Sequence, residues 1–84
     1  MAAIEKHSVV LDGHKTSVSL EPAFWRALAC IAAAEGRSLN ALIADADKSR
    51  TGNLSSALRL YVLADYERRL KALGARSAIP ELPA

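Results

Sequence analysis

Lys15-Thr16-Ser17-Val18-Ser19-Leu20-Glu21-Pro22-Ala23-Phe24-Trp25 is the stretch that decides the fold. Thr16, Val18 and Leu20 alternate with Lys15, Ser17 and Ser19. A strand points successive side chains to opposite faces, so one face is apolar and the other carries lysine and two serines. Glu21-Pro22 then opens a helix, because proline suits the first turn, where its missing N–H costs nothing. A lone amphipathic ribbon is not stable in water and needs a partner strand. A second copy of the chain is the natural one. An antiparallel pair of such strands, with small polar and basic residues outward, has the size of the DNA major groove.

Upstream, Ser8-Val9-Val10-Leu11 leads into Asp12-Gly13, a strong hairpin signal between two strand-like runs. A two-residue loop there sets Leu11 opposite His14, Val9 opposite Thr16 and His7 opposite Val18. Lys6, Ser8 and Val10 then share the other face with Ser19, Ser17 and Lys15. Residues 1–5 read as a loose start.

Downstream, a first helix is expected from about Pro22 to Glu35, with Phe24, Leu28 and Ile31 at helical spacing and Gly36 as its stop. Ser38 reads as the N-cap of a second helix whose stripe is Leu39, Leu42, Ile43 and Ala46. That stripe weakens over Asp45–Lys48, and Ser49–Asn53 reads as a loop. The third helix is expected over about Leu54–Leu73. It carries two apolar stripes, Leu54, Ala57, Leu58 and Tyr61, then Val62, Leu63, Tyr66, Leu70 and Leu73. A helix apolar on more than one side is covered on more than one side, here by its own chain and by a partner. Gly74 is a plausible stop. Residues 1–74 form the expected single domain, and 75–84, with Pro80 and Pro83, the expected flexible tail.

The 84 residues suffice for one domain with a small core, and oligomerisation is a common remedy for a small core. The net charge is +2, too weak to establish DNA binding by itself. A single cysteine, Cys30, precludes an internal disulfide. No apolar run follows Lys6 and His7 as in a secretory signal, and none reaches the roughly 18–20 residues that span a bilayer. The expected location is the cytoplasm, with no membrane partner.

These residues resemble a ribbon-helix-helix DNA-binding domain. The likeness covers about residues 14–48, from Lys15–Leu20 through Phe24–Gly36 to Ser38-Leu39-Asn40-Ala41-Leu42-Ile43. The whole chain also resembles a variant group of small bacterial proteins with this domain. It shares their Val-x-Leu-x-Gly-His hairpin, the Ser-Val-Ser-Leu-Glu-Pro-x-Phe-Trp join and Gly-Asn-Leu-Ser-Ser-Ala-Leu-Arg. The resemblance implies an α+β intertwined homodimer joined by an intermolecular antiparallel ribbon. It implies that Lys15, Ser17 and Ser19 reach base edges. It implies that Ser38, Leu39 and Asn40, at the start of the second helix, hold a phosphate on backbone N–H groups, with Arg37 adding charge. Lysine can donate to guanine, serine can contact either kind of base, and a helix start offers free N–H groups to an anion. Two features depart from the family pattern: the break at Asp47–Asn53 with a third helix after it, and the N-terminal hairpin, which makes the dimer sheet four-stranded.

Simpler readings stand beside these. The outward ribbon residues also suit a solvated sheet face, and Ser38 also suits an ordinary cap beside a solvated arginine. His7 and His14 lie two cross-strand pairs apart, and with one cysteine they do not supply the four ligands of a zinc site within one chain. Cys30 falls away from the Phe24–Leu28–Ile31 stripe, as a helix-surface or interface residue. Asp45 and Asp47 point apart, and Asp65 is placed to pair with Arg68, Arg69 or a partner arginine. Phe24 and Trp25 suit core positions. Ser55-Ser56 has no visible base, and no glycine-rich phosphate loop is present, so no enzyme constellation and no cofactor is expected. The leading expectation is a sequence-specific DNA-binding transcriptional regulator. The alternative is a protein-interaction dimer, antitoxin-like or scaffold, binding a partner through helix 54–73 or the tail 75–84.

Overall fold

Asp12 and Gly13 take φ of +52° and +77°, the left-handed pair that turns a tight hairpin in the direction of strand twist. In the computed structural model, which describes residues 3–74, this turn joins β1 (Glu5–Leu11) to β2 (His14–Leu20). The strands pair antiparallel along their full length, with Leu11 opposite His14, Val9 opposite Thr16, His7 opposite Val18 and Glu5 opposite Leu20. This is the register the Asp-Gly loop predicts. β1 starts earlier than expected, at Glu5, because Trp25 reaches over its first residues. The Trp25 Nε1 donates to the Glu5 carbonyl at 3.0 Å, and its ring lies 4.2 Å from that of His7.

Three helices follow: α1 (Pro22–Ala34), α2 (Leu39–Ser49) and α3 (Leu54–Ala72). α1 ends through Gly36, at φ +67°. The Gly36 N–H bonds the Ala33 carbonyl at 3.1 Å, and the Arg37 N–H bonds that of Ala32 at 3.0 Å. Such an end closes two free carbonyls and turns the chain sharply. α2 runs on through Asp45–Lys48 to Ser49, further than its fading stripe implies. Ala46 is buried there, and Lys48 in the last turn suits the negative end of the helix dipole. Asn53 caps α3, its Oδ1 accepting from the Ser56 N–H at 3.2 Å.

Leu20, Leu28, Ile31, Leu42, Ile43 and Leu58 are fully buried, so the core lies between the inner sheet face and all three helices. Trp25 is buried and Phe24 half-buried, as core positions require. α2 packs against β1 and α3 against β2. No single helix is long and apolar enough to cross a membrane among the described residues. The expected tail, 75–84, lies outside the described residues.

Candidate nucleic-acid interface

The outer face of the sheet carries Lys6, Ser8 and Val10 from β1 and Lys15, Ser17 and Ser19 from β2, and no carboxylate. Lys6 and Lys15 make no ion pair among the described residues. Most arginines do: Arg37 with Glu35 and Asp45, Arg50 with Asp47, Arg59 with Glu21, and Arg68 and Arg69 with Asp65. The free cationic charge of the sheet is thus gathered on its outer face.

The two edges of this sheet differ in what they bond. Asn40, in the first turn of α2, spans the backbone of Val10. Its Oδ1 accepts from the Val10 N–H at 2.8 Å, and its Nδ2 donates to the Val10 carbonyl at 2.8 Å. Both backbone groups of Val10 therefore point away from β2. Antiparallel strands alternate inward- and outward-bonding pairs, so those of Lys6 and Ser8 also point outward, as do those of Lys15, Ser17 and Ser19 on β2. The Ser19 carbonyl accepts from the Ser55 hydroxyl of α3 at 3.0 Å. The edge of β2 is otherwise open among the described residues.

Asn40 fastens the start of α2 beside the outer edge of β1. Ser38 caps that start, its Oγ accepting from the Ala41 N–H at 3.0 Å. The backbone N–H groups of Leu39 and Asn40 have no acceptor among the described residues. They form a donor pair at the positive end of a helix dipole, flanking the lysine face. The model family for a ribbon-helix-helix domain matches residues 4–66. The chain belongs to the ribbon-helix-helix family. A solved structure of an uncharacterized protein from Bordetella pertussis Tohama I is similar to this ribbon-helix-helix chain, at 31% identity and a TM-score of 0.68 over 98% of this chain and 69% of that one. No curated protein matches.

Within this ribbon-helix-helix frame, Lys15, Ser17 and Ser19 share one face and one strand, as their alternation requires. Ser38, Leu39 and Asn40 stand at the start of α2. Arg37 is placed differently from a free cation beside that start. Its Nε donates to Glu35 Oε1 at 2.9 Å, its Nη1 pairs with Asp45, and its Nη2 reaches the Tyr61 hydroxyl at 3.4 Å. The Asp45 bond, foremost, holds the guanidinium pKa above its ordinary value. Arg37 braces the α1–α2 junction against α3, and a phosphate would have to compete with these partners. The Asn40 side chain is likewise engaged, which leaves its backbone N–H as its free donor.

Lys6 is a member of this face that the pattern of Lys15–Leu20 alone does not contain. The signal for it lay in the hairpin register, which sets Lys6 beside Ser19. Asp65 pairs with both arginines expected for it. Arg68 Nη2 lies 2.9 Å from Oδ1, and Arg69 Nε lies 2.7 Å from Oδ2 as an ion pair without hydrogen-bond alignment. Cys30 is exposed. Among the described residues no three His, Cys, Asp or Glu side chains are grouped to hold a metal.

Proposed function

We propose that this protein is a DNA-binding transcriptional regulator that works as a homodimer joined through the open edge of β2. One observation carries the reading: among the described residues the outer sheet face holds two lysines without an ion pair and no carboxylate, while every arginine but Arg26 is tied to a carboxylate of its own chain. Pairing β2 with its copy sets Lys15, Ser17 and Ser19 at the centre of a four-stranded sheet. Three strand spacings span about 14 Å, against a major groove of about 12 Å. Adjacent strands twist by roughly 20–25°, so the outer strands turn out of the plane of the central pair. In this arrangement β2 and its copy read base edges. Lys6 on β1 and the N–H groups of Leu39 and Asn40 meet the phosphate walls on either side.

The test is binding of random-sequence and selected duplexes over a salt series. Binding should weaken with salt, and Lys6→Ala should flatten the log–log slope by about 2 per dimer, one phosphate contact per chain. Lys15→Ala should lower preference among sequences more than overall affinity. No enriched sequence, or an unchanged slope and preference in both variants, overturns the reading. The full-length pairing of β1 along β2 favours a second reading, since it widens the sheet beyond the groove. On that reading the dimer binds another protein and no DNA, and the same titration separates the two.

A further inference from the structure

α3 has a second side that the described residues of its own chain leave bare. Leu60 is 65% exposed, Leu63 50% and Tyr66 51%. With Leu70 they fall within about 120° of the helix circumference, at 3.6 residues per turn. Leu58, Val62 and Asp65, the buried residues of α3, lie on another side. We infer that this stripe packs against the same stripe of a second copy, so that two α3 helices close the dimer beneath the paired β2 strands. The inference rests on the dimeric reading above and is independent of DNA.

Position selects the second copy as the occupant. α3 packs under β2, the strand with the open edge, whereas α2 packs under β1. The Ser55–Ser19 bond pins the first turn of α3 to that edge. Two antiparallel copies of one strand are related by a two-fold axis perpendicular to the sheet at their seam. Rotation about that axis brings the two α3 helices side by side and leaves the two α2 helices outermost.

Area points the same way. A specific interface takes roughly 800 Å² from each partner. With the Ser19 carbonyl held by Ser55, the wholly open part of the β2 edge is Lys15 and Ser17. Backbone bonds along two residues do not cover such an area. The leucine–tyrosine stripe is an exposed apolar surface on the helix that packs against β2.

Sedimentation equilibrium of the full chain tests this. The wild type should be a dimer at micromolar concentration. Leu63→Arg and Leu60→Arg should each raise the dimer dissociation constant by at least about 100-fold, because each substitution enters a symmetric interface twice. Both sites are half-exposed or more in the single chain, so the far-UV circular dichroism should stay that of the wild type. Leu63→Met should dimerise normally. Leu63→Arg and Leu60→Arg variants that remain dimers at wild-type affinity overturn the α3 contact. If Ser17→Pro, which removes a donor from the open edge of β2, abolishes the same dimer, the strand seam stands and only the helix contact falls. A monomeric wild type overturns both.

Discussion

Asn40→Ala removes one side chain and two hydrogen bonds, both 2.8 Å, that fasten α2 to the outer edge of β1. A neutral hydrogen bond contributes about 0.5–1.5 kcal/mol net. Here the lower half of the range applies, because Asn40 and Val10 lie at the surface, where water takes the place of a lost partner. Two such bonds come to about 1–2 kcal/mol. Alanine recovers about 0.5 kcal/mol of helix propensity in α2, which leaves a net cost near 1 kcal/mol. In a domain of this size that lowers Tm by about 4–8 °C. Unfolding followed by fluorescence reads the loss, since the chain has one tryptophan and Trp25 is bonded to the β1 backbone. Protein concentration must be fixed, because the proposed dimerisation would couple to stability. Amide hydrogen exchange gives the local signature: the Val10 N–H should lose its protection in the variant while the inward-bonded Val9 N–H keeps its own. Asn40→Asp should do no better, as it sets a carboxylate oxygen against the Val10 carbonyl. Unchanged Val10 exchange together with unchanged stability would refute the role assigned to Asn40.

Acid is expected to weaken the join between strand and helix. Backbone hydrogen bonding first, and then the two-pronged Arg59 contact at 3.0 and 3.1 Å, hold the Glu21 carboxyl below its ordinary pKa of 4.5. A depressed carboxyl contributes stability above its unfolded pKa and loses it as pH falls through the folded value. Denaturant midpoints should therefore drop below pH 4.5, and Arg59→Ala should flatten that drop. Leu58→Ala, at a fully buried site in the core cluster, should cost about 2–5 kcal/mol by denaturant melt. Gly36→Ala meets no atom within 4 Å, so its cost is conformational alone, about 1–2 kcal/mol for a left-handed φ of +67°.

Much of this architecture is written in local signals. The Asp12-Gly13 pair fixes the turn, and the turn fixes the register, because a one-residue slip would move Val9 and Val18 to the wrong face. Gly36, Ser38 and Asn53 mark helix ends through their own backbone and side-chain chemistry. Less legible are the contacts that join distant segments. Nothing near Asn40 indicates that its amide meets Val10, thirty positions away, nor does Ser55 announce its bond to Ser19. Arg37 reads as a free cation from its neighbours in sequence, yet Asp45 and Tyr61 converge on it once α2 and α3 fold back. The far end of α2 was obscured because Asp45, Asp47 and Lys48 mask the buried Ala46 in a residue-by-residue reading.

The most direct test of the dimer joined at β2 is hydrogen exchange at four outward-pointing amides. Among the described residues of a single chain the N–H groups of Lys6 and Ser8 on β1, and of Lys15 and Ser17 on β2, are equally without backbone partners. Pairing between β2 strands predicts slow exchange at Lys15 and Ser17 beside fast exchange at Lys6 and Ser8, with the contrast fading on dilution below the dimer dissociation constant. Fast exchange at all four in concentrated protein would contradict it.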